Sequence, residues 1–198
     1  EKQIAATVDK IRGGLKSRGL IDTALKQIQF LKDLHGRGVT LQPISKETVR
    51  RYELWLELVG TLGKKEKFVP VPPMDVAWCW HCHRLAPIEY TVNGKCPDPP
   101  PGSAFIFAKP KDIYRYMRTR CGNLDLKLTL QYWLKLYPDE PFSPPYLTEW
   151  EHTKRNSKGS VATNSSNAIV RGYDIGKACE RQQVFWWQVC GPKYADRK

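Results

Sequence analysis

Between Asp75 and His83 the chain sets a carboxylate, two thiols and two imidazoles, with Trp78 and Trp80 among them, and this segment holds two of the chain's four histidines. An acid–base pair working near neutral pH needs an imidazole and a carboxylate to orient it. Asp75, His81 and His83 are therefore the candidate catalytic residues, with Glu89 or Glu140 as carboxylates that folding would have to bring in. A thiol nucleophile, Cys82 or Cys79 beside His83, draws on the same residues, although no sequence feature marks an oxyanion hole. Zinc would use Cys79, Cys82 and His83 with Cys96 as a fourth ligand, because thiolate and imidazole suit that ion. Trp78 and Trp80 would line a pocket beside the histidines, and Arg84 and Tyr90 would form the polar rim of an anion or carbonyl site.

Each reading has a plainer rival. Histidines between tryptophans commonly bond inside a core, and Cys-x-x-Cys in an apolar helix is commonly two small buried residues. Zinc is accordingly not favoured, and the cofactor is left unassigned. Geometry also divides the block. Asp75 is placed to cap a helix that Pro87 stops, and at about 100° per residue Asp75, Cys79, Cys82 and His83 fall on one arc. His81 lies opposite, with Ala77 and Leu85. His-x-His is thus a poor chelate on one helix, whereas Cys79 with Cys82 and Cys79 with His83 are well spaced.

The elements that must hold this helix are also helical. Ile4, Val8, Ile11 and Leu15 repeat at helical spacing, and Leu20 to Leu34 carry a stronger apolar stripe stopped by Gly36 and Gly38. Ser45 caps a third helix whose stripe is Val49, Tyr52, Trp55, Leu56, Val59 and Leu62. A helix is expected from about Pro110 to Cys121. Residues 124–137 alternate like a strand at first, yet Leu126, Leu130, Trp133, Leu134 and Tyr137 fit a helix, which is the choice made. The last helix bears Ile175, Ala178, Cys179, Phe185 and Trp186. Prolines and glycines make residues 91–104 a surface loop, and Ser, Asn and Thr make 153–168 a polar loop. The expectation is an all-α single domain over 1–198, with six or seven packed helices and two long loops.

Four segments carry a family resemblance. Pro72-Pro73-Met74-Asp75 through Trp78-Cys79-Trp80-His81-Cys82-His83 resembles the Trp-x-Trp-His-x-His block of the glycine-rich-domain protein (GRDP-like) family of plants and fungi. Arg51-Tyr52-Glu53-Leu54-Trp55-Leu56 is similar to the segment that precedes that block. Trp133-Leu134-Lys135-Leu136-Tyr137-Pro138-Asp139-Glu140-Pro141-Phe142 resembles the family's Trp-x-x-Leu-Tyr-Pro segment, and Tyr173-Asp174-Ile175 through Phe185 and Gln188-Val189 resembles its closing one. Two departures stand out: Cys79 replaces a usual aliphatic residue, and the proline-rich loop replaces an acidic helical stretch. The glycine-rich and RNA-binding regions of the plant proteins have no counterpart in these residues, and nothing of theirs is carried over. The resemblance names a family but no reaction.

Composition bounds the function. Hydrophobic residues make up 41% of the 198, enough for a real core. The net charge of +12 implies affinity for polyanions, although the bases are dispersed in small groups: Lys64, Lys65 and Lys67; Arg115, Arg118 and Arg120; Lys154, Arg155 and Lys158. No run of apolar residues approaches a membrane span, and the first residues do not read as a charged-then-apolar leader, which leaves open a processed segment before them. A soluble, cytoplasmic interaction or regulatory module with an RNA or protein partner is the first expectation, with secretion left open. An enzyme or small-molecule binder built on His81, His83 and Asp75 is the alternative, and a zinc-stabilised domain is a further one. Oligomeric state is not readable.

Overall fold

The computed structural model describes residues 13–14, 19–41, 44–62, 68–99, 103–108, 124–143 and 168–190. The expected helices over Ile4–Leu15 and Pro110–Cys121 lie almost wholly outside these residues, as do the three basic groups and nearly all of the polar loop at 153–168.

Helix α1 is Leu20–Gly36, followed by a 3-10 turn at Val39–Leu41. Gly38 holds φ of 76°, the left-handed conformation that a glycine adopts without strain and that ends the chain's helical course here. Helix α2 is Lys46–Leu62, and Ser45 caps it as expected, its Oγ accepting from Thr48 N–H at 3.0 Å. Helix α3 is Met74–Arg84 and α4 is Leu124–Leu136, the latter helical rather than extended, with Leu126, Leu130 and Trp133 buried. Helix α5 is Ile175–Cys190. Among the described residues the fold is all-α apart from one small hairpin. No helix among the described residues is long and apolar enough to cross a membrane.

Helix α3 is the centre of the domain: every residue from Met74 to His83 is buried. A helix covered on all sides has no polar stripe, which fits its composition of Trp, Cys, Val and Ala with few free charges. It packs against α2 and α5. Trp80 meets Trp55 of α2 edge to face, with ring centroids 5.6 Å apart.

The structure corrects the sequence in three places. Asp75 does not cap α3. The helix begins at Met74 behind Pro73, and Asp75 sits in the first turn facing a buried arginine that requires a carboxylate. Pro87 does not end the helix either, since α3 stops at Arg84 and Pro87 leads into a π-helical turn, Ile88–Asn93. The proline-rich loop thus starts at Gly94 rather than at 91. A Cβ on Gly94 would lie 2.2 Å from the Glu89 carbonyl oxygen, so only glycine permits this close return. Finally, the last helix is preceded by an unexpected antiparallel hairpin, β1 (Ile169–Val170) and β2 (Tyr173–Asp174), in which Val170 pairs with Tyr173. Its two turn residues, Arg171 and Gly172, have φ of 50° and 87°, the type I′ pattern that suits the twist of a tight hairpin.

Candidate functional site

Because α3 is enclosed, each of its polar side chains must be answered by a neighbouring element or sit unsatisfied in a low dielectric. Three groupings result.

The first centres on Arg51 of α2, which is fully buried. Its Nε donates to Asp75 Oδ2 at 2.9 Å and one Nη to Glu140 Oε1 at 2.8 Å. The carbonyl oxygens of Pro141 and Phe142 accept from the same guanidinium, whose carbon lies 5.6 Å from the centre of the Trp133 ring. Arg50 joins from the surface, bridging Glu140 and Glu47. Trp133 in turn donates its indole N–H to the Glu140 carbonyl at 2.9 Å. One arginine therefore ties α2, the first turn of α3 and the segment after α4 together. The planar five-donor fork explains why an arginine and not a lysine stands here.

The second grouping surrounds His83, which is also fully buried. Its Nδ1 lies 2.9 Å from the Tyr52 hydroxyl, a hydrogen bond whose direction follows the tautomer. Its ring is parallel to Tyr173 at 4.8 Å and edge-on to Tyr90 at 5.0 Å. Tyr90 reaches back to accept the Trp80 indole N–H at 2.9 Å and donates to the Pro97 carbonyl. Burial, then the positive charge of Arg171, lowers the His83 pKa to about 4. Burial pushes the Tyr52 phenol well above its ordinary value and Tyr90 to about 12. These shifts leave His83, Tyr52 and Tyr90 neutral at neutral pH.

The third grouping is a cleft of about 170 Å³ on the opposite side of α3, where α1 and residues 103–106 close over it. His81, Trp80 and Arg84 line it, together with Phe30 and Phe105. His81 packs on Trp78 at 6.1 Å and against Phe30 at 5.3 Å, and burial followed by the nearby Arg84 charge lowers its pKa to about 4. Of the sequence candidates, Asp75, His83, Trp78 and Tyr90 do not line this cleft. The helical arcs are reproduced: His81 shares its face with Ala77 and Leu85, while Asp75 and His83 look toward α2 and the hairpin.

The thiols face a different partner from the one expected. Cys79 and Cys82 meet Cys179 of α5, and burial above all raises all three pKa values. Cys96 lies apart, its thiol directed to the Gly94 carbonyl at 3.6 Å. Among the described residues no three His, Cys, Asp or Glu side chains are arranged to hold a metal ion.

Residues 2–93 and 118–198 match the family described as glycine-rich domain-containing protein-like, or GRDP-like. The chain belongs to the GRDP-like family. It is similar to glycine-rich domain-containing protein 1 of Arabidopsis thaliana, 29% identical over 177 residues covering 86% of this chain. It is also similar to glycine-rich domain-containing protein 2 of the same plant, 27% identical over 175 residues. The chain spans about a fifth of the length of these relatives, 19% and 20%. No solved structure matches it.

The four segments that resemble the GRDP-like family are thus drawn onto one another. Arg51 and Tyr52 come from the first, Asp75, Trp80 and His83 from the second, Trp133 and Glu140 from the third, and Tyr173 and Cys179 from the last. Sequence reasoning overlooked Arg51 as the hub of this GRDP-like core. Its place on the buried stripe, one turn before Trp55, was the available signal. It also overlooked Tyr173 and Ser103, for which no local pattern existed.

Proposed function

We propose that this GRDP-like domain is a non-catalytic helical interaction module that carries a basic surface to a polyanionic partner, with RNA as the partner to test. One observation carries this reading: His83 and Asp75 of the histidine block are engaged with other family segments inside the core. His83 is bonded to Tyr52 and stacked on Tyr173, and Asp75 is paired with Arg51. Imidazoles held neutral by burial and thiols held protonated are poorly suited to general acid–base or nucleophilic work near pH 7. What remains for a partner is the outer surface of a chain with net charge +12. A domain that corresponds to about a fifth of its longer relatives is also suited to serve as one module among several. Free thiols at Cys79, Cys82, Cys96 and Cys179 favour a cytoplasmic setting.

The test is binding of labelled single-stranded RNA across a salt series. An electrostatic interface gives log K falling linearly with log salt, by about 0.7 for each phosphate neutralised. No binding even at low salt would remove RNA and leave a protein partner as the occupant of that surface.

A further inference from the structure

The cleft beside His81 is built differently from the rest of the core. Two other polar atoms of α3, Trp78 Nε1 and His83 Nε2, are also buried without a hydrogen-bond partner among the described residues, but neither residue lines this cleft, where several polar groups converge. Ser103 is 2% exposed, lines the cleft, and its hydroxyl meets no hydrogen-bond partner among the described residues. The His81 ring, 9% exposed, makes ring contacts and no hydrogen bond among the described residues. Arg84 lies 5.2 Å over the Trp80 ring, with no carboxylate bonded to it among the described residues. Gln27 of α1 adds an amide at the rim, and among the described residues the lining contains no Asp or Glu. Phe30 and Phe105, whose rings touch at 5.9 Å, make an apolar wall.

We infer that this cleft binds a small organic carboxylate of single-ring size, with the carboxylate on Arg84 and Ser103 and the ring against Phe30 and Phe105. Charge selects the sign: a guanidinium with no acidic neighbour among the described residues of the lining, in a partly dry site, favours an anion, and its planar fork matches a carboxylate. The wall selects the body. A free inorganic ion gains nothing from two phenyl rings, whereas a flat hydrocarbon ring does. Volume selects the size, since about 170 Å³ is close to the ~150 Å³ apolar cavity that takes up benzene. His81 and Gln27 supply further hydrogen-bonding atoms at the edge of the same space, as a ligand pocket with a few convergent polar groups requires. This inference does not rest on the reading proposed for RNA.

Benzoate is the probe, followed by amide chemical-shift perturbation and calorimetry on the whole chain. A ligand of this size at ordinary efficiency gives a dissociation constant of roughly 0.1–1 mM, with shifts concentrated at residues 81–85 and 103–106. Benzamide, the neutral isostere, and inorganic phosphate are expected to bind at least about tenfold more weakly. Arg84→Gln should lose about tenfold for benzoate without changing benzamide, and Ser103→Ala about threefold, with melting curves confirming that both variants fold. Arg84→Lys keeps the charge and is expected to retain part of the affinity. Equal binding of benzoate and benzamide, shifts located elsewhere, or no shift at roughly 10 mM benzoate overturns the proposal.

Discussion

The His83 imidazole lies flat on the Tyr173 ring, 4.8 Å between centroids and 6° from parallel. The hairpin that leads into α5 is thereby clasped to the end of α3, and a residue that reads as catalytic in sequence serves as the face on which another element docks. Truncating the clasp should cost more than removing its hydroxyl. Tyr173→Ala is expected to destabilise by about 2–3 kcal/mol and Tyr173→Phe by under about 0.5 kcal/mol, measured by urea midpoints with unchanged slope.

Arg51 carries the larger load. Asp75→Ala or Arg51→Ala leaves an unanswered charge or a cut network in the core, and each is expected to cost about 3–5 kcal/mol. Arg51→Lys should rescue little, because an ammonium cannot donate to Asp75, Glu140 and two carbonyls in the fork's fixed directions. Thermal melts of the three variants check this ordering.

Acid should weaken the domain over a defined window. His81 and His83 have folded pKa values of about 4 against an ordinary 6.5, so the unfolded chain binds more protons between these limits. Stability is complete above about pH 6.5, falls as pH drops toward 4, and gains no further loss from these two groups below it. Protonating His81 across that window should cost on the order of 3 kcal/mol, and His83 less. His81→Phe and His83→Phe should each flatten the profile, which chemical denaturation at stepped pH would measure.

Cys79, Cys82 and Cys179 should resist modification. Burial raises their pKa values and closes them to reagents, so alkylation at neutral pH is expected to be slow in the folded protein and to become fast in denaturant. Peptide mapping after timed iodoacetamide treatment follows these three thiols one by one.

Much of the architecture was legible because helices announce themselves through apolar spacing. The helices α1, α2, α4 and α5, the Ser45 cap and the split between His81 and His83 all follow from local periodicity, but the α1 stripe does not mark its buried face, since Leu20, Leu25 and Ile28 are exposed while Phe30 and Leu34 are buried, and Phe185 of the α5 stripe is exposed as well. The features that were not legible depend on distant residues. Asp75 looks like a cap because nothing nearby reveals Arg51, and Cys79 and Cys82 point to Cys96 only until α5 brings Cys179 to them. The hairpin at 169–174 is too short for alternation to mark it, and its turn has Arg171 where Asn or Asp is the usual signal. The cleft needs Ser103 and Phe105 from beyond a proline-rich stretch, so no helical wheel of α3 contains it.

The account stands on the histidine block being core rather than chemistry, and the imidazoles report on that directly. Nitrogen-detected NMR titration of His81 and His83 in the folded protein should show both rings neutral at pH 7, with midpoints near about 4. A midpoint between about 6 and 7.5 at either ring would mean a histidine poised for proton transfer, and would contradict the structural reading of the block.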